Sequence, residues 1–257
     1  MTTNKPYILV SNDDGVHSKG IQVLADIASE FGEVMVFAPD TERSGQGHAV
    51  TVRSPLYANL VKEKNGIKYY SCSGTPVDCL KLAVKMFTAR KPDIVISGIN
   101  HGTNAGINVF YSGTMAVALE SVFEGIPAIG FSLSSLDKDA DFSEIIPYVR
   151  KIIEVGLKDN IPPHICWNVN MPYKPEGGIK GIKVCKMSRG FWNDEYERRV
   201  MPATNKDYFW IYGDYTKVTP NIDSDHDYNN RGYVSIVPVS IDVTDYSEVN
   251  RLEKEFE

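Results

Sequence analysis

The stretch Tyr7-Ile8-Leu9-Val10-Ser11-Asn12-Asp13-Asp14-Gly15 constrains this chain more than any other. It begins as an apolar run of buried-strand composition and ends abruptly in two adjacent carboxylates and a glycine. In a mostly parallel α/β sheet, ligands bind at the carboxyl ends of the strands, so Asp13 and Asp14 are delivered to a rim rather than into the core. Gly15 lets the backbone turn sharply past them. Adjacent carboxylates repel unless a cation lies between them, and hard oxygen ligands suit Mg²⁺ or Mn²⁺. The plainer reading of the same residues is an Asp-Asp-Gly turn with a helix cap.

Downstream, strand and helix patterns alternate. Ile21, Leu24, Ala25, Ala28 and Phe31 recur at helical spacing and predict a helix from about Ser18 to Phe31, closed at Gly32. Val34 to Ala38 then completes a βαβ unit, which makes the sheet parallel here. Ala49 to Val52, Leu56 to Val61 and Ile67 to Cys72 read as short strands, the last two joined by a hairpin at Lys64-Asn65-Gly66. Thr75 and Pro76 open a helix that stops before Lys91-Pro92. Strands at Pro92 to Gly98, Pro127 to Leu133 and His164 to Met171 alternate with helices at Met115 to Phe123 and Phe142 to Leu157.

This order predicts a three-layer, doubly wound, mostly parallel Rossmann-like α/β fold occupying about residues 7–171 of a single domain, 1–257. From about residue 180 the pattern turns to β. Ile182 to Lys186 is followed by an irregular turn at Gly190-Phe191-Trp192. Two arms, Glu195 to Val200 and Tyr208 to Tyr212, then flank a polar tip as a long hairpin. Its aromatics exceed what a free hairpin should expose, which predicts a partner subunit over them. Tyr233 to Val239 is a final strand and Tyr246 to Phe256 a terminal helix.

Composition narrows the class of partner. The formal net charge is -6 with the basic residues scattered, which argues against duplex nucleic acid or a membrane surface. The four cysteines form no C-x-x-C pair and are read as reduced thiols of a cytoplasmic protein, and no apolar run has the length of a membrane span.

Three further segments join the acid pair at strand ends. The loop Arg43-Ser44-Gly45 leaves the same sheet edge, and Gly98-Ile99-Asn100-His101-Gly102-Thr103-Asn104 lets the backbone approach a ligand closely. Ser112-Gly113-Thr114 starts a helix, offering hydroxyls and unsatisfied N–H groups where an anion binds, or simply an N-cap. Carboxylate, hydroxyl and amide oxygens beside such a helix start favour metal-assisted phosphoryl chemistry.

These segments, with Gly74-Thr75-Pro76, Asp78-Cys79, Asn168-Val169-Asn170 and Gly232-Tyr233-Val234-Ser235-Ile236, resemble the SurE family, the survival-protein nucleotidases, over nearly the whole chain. The resemblance implies a metal-dependent phosphomonoesterase that hydrolyses nucleoside 5′- and 3′-monophosphates, and in some members short polyphosphate, by direct attack of a metal-activated water. It implies one divalent ion per subunit held by Asp13, Asp14, Ser44 and Asn100. Gly45, Asn104, Ser112, Gly113 and Thr114 would surround the phosphate, with Asp13, Asp14 and Asn104 catalytic. It also implies homodimers or homotetramers built through the hairpin, although Val200-Met201-Pro202-Ala203-Thr204 replaces the family's usual Asp-Pro-Arg-Gly tip. His17, His48 and His101 are candidates to protonate a leaving group. A regulatory nucleotide-binding module without turnover, or a nucleotide-sugar glycosyltransferase, are the rival readings.

Overall fold

The structure is a computed structural model of the chain, described for residues 5–158, 161–218 and 223–257. Among these residues, a sheet of nine strands runs in the order β3-β4-β2-β1-β5-β6-β7-β11-β8. The strands are β1 (Tyr7–Ser11), β2 (Glu33–Pro39), β3 (Ala58–Lys64), β4 (Ile67–Cys72), β5 (Ile94–His101), β6 (Ala128–Leu133), β7 (Ile165–Met171), β8 (Ile182–Val184) and β11 (Val234–Ser240). Pairing is parallel from β4 through β7, while β3 and β11 pair antiparallel with β4 and β7. The fold is therefore α/β with a mostly parallel sheet.

Alternation along each strand explains why the central runs are apolar throughout. Ile8 and Val10 face the core layer under helices α1 (Lys19–Ala28) and α4 (Ile146–Lys158), while Leu9 faces the layer under α2 (Pro76–Leu82) and α3 (Gly113–Phe123). Val34 and Val36 against Met35 and Phe37, and Ile94 and Ile96 against Val95, divide the same way. A sheet covered on both faces has no polar face to show in the sequence.

Strand order reverses beside β1: β2 and β4 lie to one side, β5, β6 and β7 to the other. A crevice opens at such a switch point, outside the carboxyl ends of the two flanking strands. Here those strands are β1, which runs into Asp13-Asp14, and β5, which carries Asn100 and His101.

Several local expectations change. Ala49 to Val52 is not a strand: the Thr51 N–H donates to both carboxylate oxygens of Asp78 (3.0 and 3.2 Å), and Ala49 O accepts from the Thr75 hydroxyl (2.7 Å). This segment braces the start of α2 and joins no ladder. Helix α1 ends at Ala28 because its last turn tightens, with Phe31 N donating to Ala28 O at 3.0 Å. Helix α2 gives way at Leu82 to a wider turn, Ala83–Phe87. Gly190-Phe191-Trp192 is no irregular turn but the start of β9 (Gly190–Met201), which pairs in unbroken antiparallel register with β10 (Lys206–Lys217). Strands β8 and β11 extend the main sheet well past residue 171. The short helix α5 (Asp225–Asn230) precedes β11, and α6 (Tyr246–Phe256) closes the chain with no buried residue. No described helix is long and apolar enough to cross a membrane.

Candidate active site at the switch point

Asn12, fully buried, shapes the turn after β1. Its Oδ1 accepts from Gly15 N (3.1 Å) and its Nδ2 donates to Gly15 O and Ser18 Oγ. The backbone then swings through Gly15 at φ +95°, a conformation that favours glycine. Asp13 is only 3% exposed. Its Oδ1 accepts from the Thr114 hydroxyl at 2.6 Å, and the Gly113 N–H also serves this carboxyl. The start of α3 thus turns its free N–H groups on an acid of the chain itself.

Gly113 is the residue that permits this. A Cβ there would stand 2.6 Å from the Cβ of Asp13. Ser112 caps the helix, its Oγ accepting from Met115 N at 3.0 Å.

The Ser44 loop is held over the acids by its main chain. Arg43 N donates to Asp13 O (2.8 Å) and Gly47 N to Tyr111 O (3.0 Å). Ser44 Oγ donates to Glu42, which pairs with Lys138 at 2.7 Å. On the other side, Asn100 Nδ2 donates to Gly102 O at 2.7 Å, which commits the nitrogen and leaves the amide oxygen as its free end.

Behind the glycine-rich loop lies a buried amide network. Asn170 Oδ1 accepts from Asn104 N (2.7 Å) and the Thr103 hydroxyl (3.0 Å), Asn168 Nδ2 donates to Asn104 O (2.8 Å), and Asn104 Nδ2 donates to Ser132 Oγ (2.7 Å). Strands β6 and β7 thereby fix the position of a loop that has no ladder of its own.

These elements enclose a cavity of about 490 Å³, within the range of small-ligand pockets. Asp13, Ser44, Gly45, Asn100, Asn104 and Ser112 line it, six of the residues expected from the sequence. Asp14 faces a neighbouring cavity of about 410 Å³, and Ser44 and His101 line both. Thr114 and Gly113 sit behind Asp13. Of the three histidines, only His101 reaches these cavities: His48 bonds Glu120 at 2.8 Å, and His17 is exposed.

Sequence patterns did not single out Trp192 or Asn108, which also line the cavity. The Asp225 carboxylate, fully buried, accepts from the backbone N–H groups of Gly106, Ser188 and His226 and so ties the loop to the hairpin base. The only sequence signal for Trp192 was an aromatic beside a glycine in a stretch of weak pattern.

Electrostatically the acid pair is unsatisfied. Burial raises the pKa of Asp13, opposed by the Thr114 and Gly113 donors. Asp14 is pushed up to about 7 by burial first and by the charge of Asp13 second. Lys138, whose charge reaches Asp14, is engaged with Glu42 instead. A buried and a half-buried carboxylate without a cation of their own, flanked by a hydroxyl and an amide oxygen, fit a hard divalent ion. Among the described residues no three His, Cys, Asp or Glu side chains gather around one point, so neutral oxygens would have to complete such a site.

The family model described as Survival protein SurE matches residues 8–194. The chain belongs to the SurE family. It is 44% identical over 250 residues to the 5'-nucleotidase SurE of Flavobacterium psychrophilum, covering 97% of each chain. To the 5'-nucleotidase SurE of Bacteroides thetaiotaomicron it is 46% identical over 253 residues, covering 98% of this chain and 96% of that one. Its fold matches the crystal structure of the SurE protein from Aquifex aeolicus with a TM-score of 0.82 at 33% identity, covering 98% of this chain and 100% of that one. Membership in the SurE family thus extends over the acid-bearing rim and the hairpin alike.

Proposed function

We propose that the chain is a divalent-metal-dependent nucleotidase, a phosphomonoesterase that converts nucleoside 5′- and 3′-monophosphates to nucleoside and inorganic phosphate. The observation that carries this is the cation-deficient pair Asp13-Asp14 at the switch point, with buried Asp13 lining a cavity of about 490 Å³ and half-buried Asp14 lining the one beside it. The names of relatives at 44% and 46% identity support it.

In this reading Asp13, Asp14, Ser44 and Asn100 hold one Mg²⁺ or Mn²⁺. Bound there, such an ion supplies charge neutralisation at the phosphate ester. Gly45, Asn104 and Ser112 receive the phosphate oxygens, while Gly113 and Thr114 act through Asp13, whose carboxyl they hold in one orientation. Asp13 is committed to those donors; among the described residues Asp14 accepts only a long bond from the His101 N–H (3.3 Å) and is the acid free to take a proton from an attacking water. His101, lining both cavities, is the histidine placed to reach a leaving-group oxygen. The hairpin joins subunits into homodimers or homotetramers, and the protein works in the cytoplasm.

The test is phosphate release from a panel of nucleoside monophosphates by metal-stripped protein with Mg²⁺ or Mn²⁺ restored, alongside Asp13→Asn. Release that needs the ion and collapses in the variant supports the reading. A folded protein that binds nucleotides and releases no phosphate with either ion would make it a binding module instead.

A further inference from the structure

The cavity is lined by aromatic as well as polar side chains. One of them is Trp192, which lies at the root of the hairpin, two residues into β9. The indole is 40% exposed, yet it is held in place. Its Nε1 donates to Asn108 Oδ1 at 2.8 Å, and Asn108 Nδ2 donates to the Thr103 carbonyl in the loop that lines the same cavity. Tyr215, from the paired position on β10, meets the indole edge-on at a centroid distance of 5.9 Å and itself stacks on His226 at 4.6 Å. Gly190 makes room for that arrangement, since a Cβ there would stand 2.4 Å from the Tyr215 ring.

A large aromatic surface fixed by a hydrogen bond and a second ring, yet left open towards a ligand cavity, serves little purpose in packing. It suits a flat π-system, because every nucleobase has a face that stacks on an aromatic ring whatever its hydrogen-bonding edge. Tyr111 also lines the cavity, but at 53% exposure it sits on the rim, and its only described anchoring contact is through the main chain. We propose that Trp192 is the nucleobase platform of this site, so that the root of the hairpin selects nucleoside esters over other phosphate monoesters. The proposal rests on the phosphomonoesterase reading and names the part of the substrate that reading leaves open. It places substrate selection on the element expected to join subunits, while the sheet rim supplies the chemistry.

The experiment compares wild type, Trp192→Leu and Trp192→Phe on adenosine 5′-monophosphate, cytidine 5′-monophosphate and ribose 5-phosphate, with calorimetric binding of adenosine. Leucine keeps apolar bulk and removes the π-face; phenylalanine keeps the face. Trp192→Leu is expected to raise KM for both nucleotides about tenfold or more and to weaken adenosine binding similarly, with kcat nearly unchanged. KM for ribose 5-phosphate should stay as in wild type, and Trp192→Phe should retain most of the nucleotide affinity. An equal rise in KM for ribose 5-phosphate would overturn the proposal by making Trp192 a support for Asn108, and unchanged nucleotide KM and adenosine binding would overturn it outright. If wild type releases phosphate from none of the three, the phosphomonoesterase reading fails by itself, and adenosine binding still decides the role of Trp192.

Discussion

The Thr114 hydroxyl donates to Asp13 Oδ1 at 2.6 Å between residues 101 apart in sequence, and both groups are almost fully buried. A charge-assisted bond of this length fixes the orientation of the carboxylate that lines the cavity. Thr114→Val keeps the shape and removes the donor. Loss of a hydrogen bond to a charged partner costs about 1.5–3 kcal/mol, so divalent-ion affinity should fall by about ten- to hundredfold. Calorimetric titration with Mn²⁺ checks this, with Thr114→Ser as the variant that should keep the affinity. Equal affinity in Thr114→Val would show that Asp13 needs no such alignment.

Gly113 has a sharper role than its neighbours. Because a Cβ there would lie 2.6 Å from that of Asp13, Gly113→Ala must push the strand end and the helix start apart. Displacement of a reacting group by about 1 Å typically costs on the order of 100-fold in rate, and that loss in kcat is expected here. Circular dichroism and thermal melts of the variant separate this loss from unfolding. Full activity in the variant would mean that the α3 start does not set the acid's position.

The raised pKa of Asp14 makes a signed prediction about pH. Its ordinary value is 3.8 and its folded value about 7. The unfolded chain therefore loses this proton first. Stability from this group is greatest below the ordinary value and declines as pH rises through the folded one. Relative to Asp14→Asn, the metal-free wild type should lose melting temperature between about pH 4 and about pH 7. A divalent ion should reverse the loss, binding more tightly as pH rises through about 7, where it no longer competes with the proton. Thermal melts of both proteins across that range, with and without Mn²⁺, decide it; parallel curves for wild type and variant would contradict the assignment.

The hairpin exposes more apolar surface than an isolated ribbon tolerates. Tyr196, Phe209, Trp210, Ile211 and Tyr212 are each more than half exposed. Replacing Phe209 and Trp210 with serine removes two side chains whose burial is worth about 1.5–3 kcal/mol apiece, so subunit dissociation should strengthen by at least about tenfold for each. Sedimentation velocity over a range of concentrations is the measurement. Since neither residue supports the folded body, a monomeric wild type, or a variant as associated as wild type, would remove the hairpin from assembly.

Much of this architecture was legible from local pattern because the relevant signals are local. Runs such as Ile8-Leu9-Val10 and Ile94-Val95-Ile96 announce buried strands, and the acids, amides and glycines that interrupt them mark the rim. The long hairpin and the terminal helix Tyr246–Phe256 were equally visible, since each repeats one period over many residues. Legibility failed where a segment answers to a distant partner. Ala49 to Val52 has strand-like residues, but its backbone bonds to Asp78 and Thr75 at the start of α2. Gly190-Phe191-Trp192 lacks alternation, but its partners Thr216 and Tyr215 continue the ladder.

The charged, amide-bearing and freely turning residues at the ends of β1 and β5 could be read from local pattern, because strand period and glycine punctuation are properties of neighbouring residues. That Thr114 and Gly113 serve Asp13, that Asn170 holds Asn104, and that Trp192 lines the cavity follows from the way the chain packs. Each of those pairings depends on strand order and helix crossover, which bring residues far apart in the chain within hydrogen-bond reach and leave no periodic trace in the sequence.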